Sequence, residues 1–274
     1  MFKFYLPYKY GFDTRAKGFF YKLSFILYIF LPNVLPIFLI KNVVNFKIIL
    51  DSFIAFTVMY CVYEIGYLQN DVITVMQETN PTYRLKKEER EYVKKHYLTL
   101  ISARIIYIFI LIYFLWKNKY VGFNYFIISI FILYIGYSFY NSYRNRYNLI
   151  SLFFVLIGKY CAVPLLFLPI KDYYHIILAI LFAIPIYRVI EEAYTGKIYT
   201  LKCKLFSSKN IDLTRMLYYL ILLSISVLMY VCLDSEYIYE ILIYSYLFIF
   251  RMICYIASKN KKIIANRKKC AKEE

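Results

Sequence analysis

The chain has 274 residues, 62% of them apolar and 22% aromatic, and a formal net charge of +17. A soluble domain is only about 45–50% apolar, so this composition excludes an ordinary globular protein and points to one that crosses a bilayer repeatedly. The basic residues are scattered over five segments and form no stripe or motif, which argues against nucleic acid as a partner.

The first 18 residues carry Lys3, Lys9, Arg15 and Lys17 and no small-residue cleavage site follows the first apolar run, so this is not read as a signal peptide. Apolar runs of about 20 residues then predict eight helices, near 19–40, 46–69, 98–116, 122–142, 149–169, 173–193, 214–233 and 236–257. The expected fold is all-α: a polytopic transmembrane bundle of about eight spans, forming a single integral membrane domain over 1–274. Its long polar connections fall near 70–97 and 194–213, and a basic tail covers 258–274.

Lys and Arg divide unequally between alternate segments. Twenty-five lie in the N-terminal segment, 84–95, 144–146, 197–215 and the tail, and five lie in the intervening loops. The positive-inside rule therefore places both termini and both long loops in the cytoplasm, with the chain in the inner (cytoplasmic) membrane. Much of the net charge then serves topology and attraction to anionic headgroups. The six cysteines have no C-x-x-C spacing, and His96 and His175 stand far apart, so any metal would be held by oxygen.

Chemistry concentrates where the second span ends. Glu64, Asp71 and Glu78 recur every seven residues, and on a helix they drift only about 20° per step, so they share one face until Pro81 ends it. An acid inside hydrocarbon costs roughly 2.5–3.5 kcal/mol on insertion scales, so Glu64 needs a partner or a purpose. Arg104 and Lys159 are its candidate partners. The sixth span ends in Arg188, Glu191 and Glu192, with Arg188 and Glu192 spaced for an i, i+4 ion pair. One acidic helix end in each half suits a pseudo-twofold bundle with a central site. The bland reading of the same residues is two solvated helix ends and structural ion pairs.

Asn70-Asp71, followed by Glu78, resembles the first signature of the UbiA superfamily of membrane prenyltransferases, N-D-x-x-D-x-x-x-D, with Thr74 in place of the middle acid. Asn80-Pro81-Thr-Tyr-Arg84 is similar to the proline and basic residues that follow it, especially in the decaprenyl-phosphate phosphoribosyltransferase branch. Glu191 and Glu192 lie where the second signature belongs, and Lys159 lies near a basic position of that branch. The superfamily generally has nine spans, one more than the eight expected here.

The resemblance implies a UbiA-like fold with a central cytosol-facing cavity, Mg²⁺ as cofactor, and a polyprenyl (di)phosphate lipid and an unidentified acceptor as partners within the bilayer. It assigns Asp71, Glu78, Glu191 and Glu192 to catalysis and Asp71, Glu78 and Glu192 to the metal. Asn70, Arg84, Lys159, Arg188 and Glu64 would face the substrate diphosphate. Three activities stay open: prenyl transfer from a polyprenyl diphosphate, phosphoribosyl transfer onto a polyprenyl phosphate for cell-envelope glycan synthesis, and a non-catalytic lipid-binding protein or transporter.

Overall fold

In hydrocarbon the backbone must satisfy its own hydrogen bonds, and a chain made of long apolar runs does so as helices. The computed structural model describes residues 2–16, 18–41, 45–77, 83–143, 145, 147–195, 206 and 210–259, and no strand occurs among them. The helices are α1 (Lys9–Arg15), α2 (Phe19–Phe25), α3 (Leu31–Lys41), α4 (Phe46–Val72), α5 (Lys87–Lys95), α6 (Tyr97–Lys117), α7 (Phe123–Ser142), α8 (Asn148–Phe167), α9 (Ile170–Leu181), α10 (Tyr187–Thr195), α11 (Ile211–Cys232) and α12 (Ile238–Lys259).

Seven stretches are long and apolar enough to cross a membrane: Phe19–Ile40, Phe46–Met76, Tyr97–Lys117, Phe123–Ser142, Asn148–Phe167, Ile211–Cys232 and Ser235–Lys259. They coincide within a few residues with seven of the expected eight runs, except that the second continues past Asp71. The remaining run, expected at 173–193, is interrupted. Tyr173 leaves helical geometry (φ −129°, ψ 30°), and a five-residue π segment, Phe182–Ile186, joins α9 to α10. Pro185 lies in that segment, and a proline removes one backbone donor and crowds the carbonyl four residues back.

The chain divides into two compact units, Met1–Ile177 and Leu178–Glu274. In the first unit α4 packs against α6, α7 and α8, while α8 also packs against α3 and α7. The most apolar windows of α4 and α8 are 61% and 67% buried, against 17% for α6. Thus α4 and α8 form the interior of this unit, and α6 leaves side chains such as Ile106 and Phe109 exposed. In the second unit α11 packs along α12.

Local chemistry fixes the ends that matter. Asn45 caps α4 by accepting from the Lys47 N–H at 2.9 Å. Six residues on, buried Asp51 accepts from Asn118 Nδ2 at 3.0 Å and from the Tyr120 hydroxyl, tying this end of α4 to the α6–α7 connection. At its other end α4 runs to 27 residues, or about 40 Å, longer than the roughly 30 Å hydrocarbon core. A span of that length has turns to spare beyond the hydrocarbon, and its last ones carry Asn70 and Asp71. Beyond them α5 begins with Glu88 and Glu89 and ends with Lys94 and Lys95, charges that complement the helix dipole.

Candidate functional site

The site is built where the N-terminal segment folds onto the far end of α4. Glu64 and Asp71 share a face, and α1 covers it: the Gly11 N–H donates to Glu64 Oε1 at 2.8 Å, and the Tyr10 hydroxyl donates to Asp71 Oδ2 at 2.8 Å. Close approach is possible because residue 11 is glycine. A Cβ there would collide with the Tyr60 hydroxyl oxygen. Phe4, Tyr10, Leu68, Val93 and Leu100 form a buried apolar cluster beneath, which joins the N-terminal segment, α4, α5 and α6.

Asp71 is a hub of positive and neutral donors. Arg15 grips it with both ends of its fork, Nη1 to Oδ2 at 2.5 Å and Nη2 to Oδ1 at 2.7 Å. Asn70 Nδ2 donates to Oδ1 at 3.2 Å, and Arg84 Nη1 reaches the same oxygen at a longer 3.4 Å. Burial alone lowers the Arg15 pKa, but hydrogen bonding and charge at Asp71 outweigh it and hold that pKa above the ordinary arginine value. Burial, reinforced by the neighbouring Asp71 charge, holds the Tyr10 phenol well above the usual tyrosine range, so it stays a neutral donor.

A shallow, solvent-open cleft lies beside this hub, lined by Asp71, Val75, Tyr83, Arg84, Leu85 and Arg90. The Arg90 guanidinium lies over the Tyr83 ring, 4.0 Å from its centroid. Arg84 and Arg90 thus face one space, beside a carboxylate already neutralised by Arg15. The balance of charge in the cleft is positive, which suits an anion.

Deeper in the first unit, Glu64 is paired with Arg104 at 3.2 Å, and both side chains are wholly buried. Of the two candidate partners, Arg104 is therefore the one Glu64 takes, and the second Arg104 contact is the Leu6 carbonyl at 3.4 Å. Lys159, buried in α8, places its ammonium 4.3 Å from the Tyr63 ring centroid and 5.4 Å from that of Tyr160. Tyr63 meets Tyr67 and Tyr137 edge-on at 4.9 Å each, and Arg15 sits 4.0 Å from the Tyr67 centroid. Tyrosine rings therefore link Lys159 to the Arg15–Asp71 clamp.

In the second unit Glu191 is buried and accepts from Arg215 Nε at 2.8 Å and Nη2 at 2.9 Å, and from Arg188. Arg188 thus pairs with Glu191 at i, i+3, where the sequence spacing also allowed Glu192. Glu192 is half-buried on α10. Thr74, at the position of the middle acid in the resembled signature, is buried in the short turn after α4. Glu78, Asn80 and Pro81 lie outside the described residues.

Residue-by-residue reading of the sequence missed Tyr10, Arg15, Arg90 and Arg215. Arg15 entered only as part of the topological charge, although a cation four residues before the first span is within reach of a neighbouring helix end. No family model, curated protein or solved structure matches the chain.

Proposed function

We propose that the protein is a UbiA-like membrane transferase that acts on a polyprenyl diphosphate, with its headgroup seated beside Asn70 and Asp71. The observation that carries the reading is the convergence of Arg84, Arg90 and the Arg15-clamped Asp71 on one cleft where α4 leaves the apolar layer. A diphosphate held there meets planar guanidinium forks, and an isoprenoid tail runs back along the apolar helices. As the allylic carbon–oxygen bond breaks, the diphosphate leaves with the electron pair, and Arg84 and Arg90 stabilise the growing charge. The acceptor supplies the pair for the new bond and loses its proton.

Mg²⁺ is implied by the resemblance, and the described residues do not fit it as they stand. They contain no group of three His, Cys, Asp or Glu side chains able to hold a metal ion, and both oxygens of Asp71 face guanidinium donors. No step is therefore assigned to the metal. The parts given to Glu78, Glu191 and Glu192 rest on the resemblance alone.

Phosphoribosyl transfer onto a polyprenyl phosphate is the second reading, favoured by the buried ammonium of Lys159 in α8. The deciding experiment offers purified protein radiolabelled polyprenyl diphosphate or phosphoribosyl diphosphate, each with and without Mg²⁺. Prenyl label appearing on an acceptor supports the first reading, and ribose label appearing in lipid supports the second. Arg84→Ala and Arg90→Ala, which leave the Arg15–Asp71 pair intact, are each expected to lower turnover sharply while the protein stays folded in detergent. Full turnover in both variants would remove the cleft from the mechanism.

A further inference from the structure

We infer that the cleft binds its phosphate-bearing ligand without a divalent cation, Arg15 supplying the positive charge that a metal would otherwise bring to Asp71. The inference rests on the reading that this cleft takes a lipid diphosphate, and it concerns how the charge is neutralised.

A carboxylate offers about four lone-pair directions. Asp71 receives the two-pronged Arg15 fork, the Tyr10 hydroxyl, the Asn70 amide and the longer Arg84 contact. Magnesium needs oxygen at about 2.0–2.1 Å in octahedral array, so entry at Asp71 requires expelling the bidentate guanidinium. That guanidinium is further held by its stacking on Tyr67. Thr74, in the place of the resembled signature's middle acid, offers only a buried hydroxyl, 3% exposed.

The cations facing the cleft suit the alternative. Arg90 is pre-oriented on the Tyr83 ring, which leaves its in-plane N–H edge for an acceptor. The weak 3.4 Å contact of Arg84 is readily exchanged for a charged phosphate oxygen. With Arg15 and Asp71 cancelling, two guanidiniums meet the ligand's negative charge.

The test measures binding of radiolabelled pyrophosphate and of farnesyl diphosphate to the full-length protein in phosphatidylcholine nanodiscs, in EDTA and in Mg²⁺. Equal binding in the two buffers is expected. Pyrophosphate binding as tight as that of farnesyl diphosphate assigns recognition to the headgroup, whereas tighter farnesyl diphosphate binding adds a tail site beside the same cleft. Arg84→Ala and Arg90→Ala are each expected to weaken binding about tenfold in both buffers, the loss of one charged hydrogen bond. Arg15→Ala uncovers the Asp71 charge, so its binding is expected to fall in EDTA and to recover with Mg²⁺. Should that variant not fold, the wild-type comparison and the two cleft variants still decide. Wild-type binding that appears only with Mg²⁺ overturns the inference and leaves the transferase reading standing. An absence of binding in both buffers overturns both.

Discussion

Glu64 and Arg104 hold the most exacting contact in the first unit, because neither side chain reaches solvent and the two stand 3.2 Å apart. Removing one partner strands the other, so Glu64→Gln is expected to destabilise the folded protein by about 3–5 kcal/mol in denaturant titration. Replacing both, as Glu64→Gln with Arg104→Met, should recover most of that loss; equal destabilisation in the double variant would show that packing, not charge, governs the site. Lys159 gives a second residue-scale expectation. Its ammonium lies against the Tyr63 ring, so Tyr63→Leu should lower stability by about 2 kcal/mol. Sequence alone marks Glu64, Arg104 and Lys159 as charges that need partners within apolar runs. Which cation meets Glu64 depends on helices 40 residues apart in the chain, and no local pattern encodes that choice.

At the scale of elements, the seven-residue spacing of Glu64 and Asp71 correctly implied one face, whereas the helix that covers it left no mark in the sequence. A seven-residue α1 has too few turns to show periodicity, and its charges read equally well as topology. Gly11 is the position that lets it dock. Gly11→Ala places a methyl against the Tyr60 hydroxyl, so the N-terminal segment should lift and become sensitive to limited proteolysis; Tyr60→Phe, which removes that oxygen, should partly restore protection. The outer side of the segment is tied by Lys3 to Asp13 and Glu89, at 3.0 and 3.1 Å. Partial burial raises the Asp13 pKa, but hydrogen bonds from Lys9 and Lys3 outweigh it and hold the carboxyl below its ordinary 3.8. The hydrogen bonds to Asp13 and Glu89 hold Lys3 above 10.5. Asp13 therefore contributes fully above the unfolded value and loses its contribution as pH falls through the lower, folded value. Lys3 contributes below 10.5 and loses its contribution as pH rises through the higher, folded value. Hydrogen exchange in Lys9–Arg15 should be slowest relative to its intrinsic rate between these limits and should quicken modestly in acid. A flat profile would show that the tether contributes nothing, the usual fate of an exposed ion pair.

For the whole molecule, the parity of crossings decides which loops share a side. Seven stretches meet the length and apolarity needed for a span, and an odd number would put the two ends of the chain on opposite faces. The basic loop at 197–215 and the basic tail would then lie across the membrane from the basic loop at 84–95, against the positive-inside rule. One crossing more would bring these segments back into agreement with the rule. The 26 residues of Ile170–Thr195 can supply it, since as a straight helix they would reach at most about 39 Å, which leaves room for the break at Tyr173 and the π segment within a hydrocarbon layer of roughly 30 Å. That run escapes a simple length test because Tyr173 and Pro185 divide it, although its apolar character alone led to its assignment as a span. A biotin-acceptor tag placed within 200–208 should be modified on the same side as one placed within 86–91, and a tag after residue 270 should match both. Labelling of the 200–208 tag from the opposite side would limit the chain to seven crossings. It would also place Glu191 and its arginines across the bilayer from Asp71, which would end any mechanism in which the two acidic helix ends act on one diphosphate.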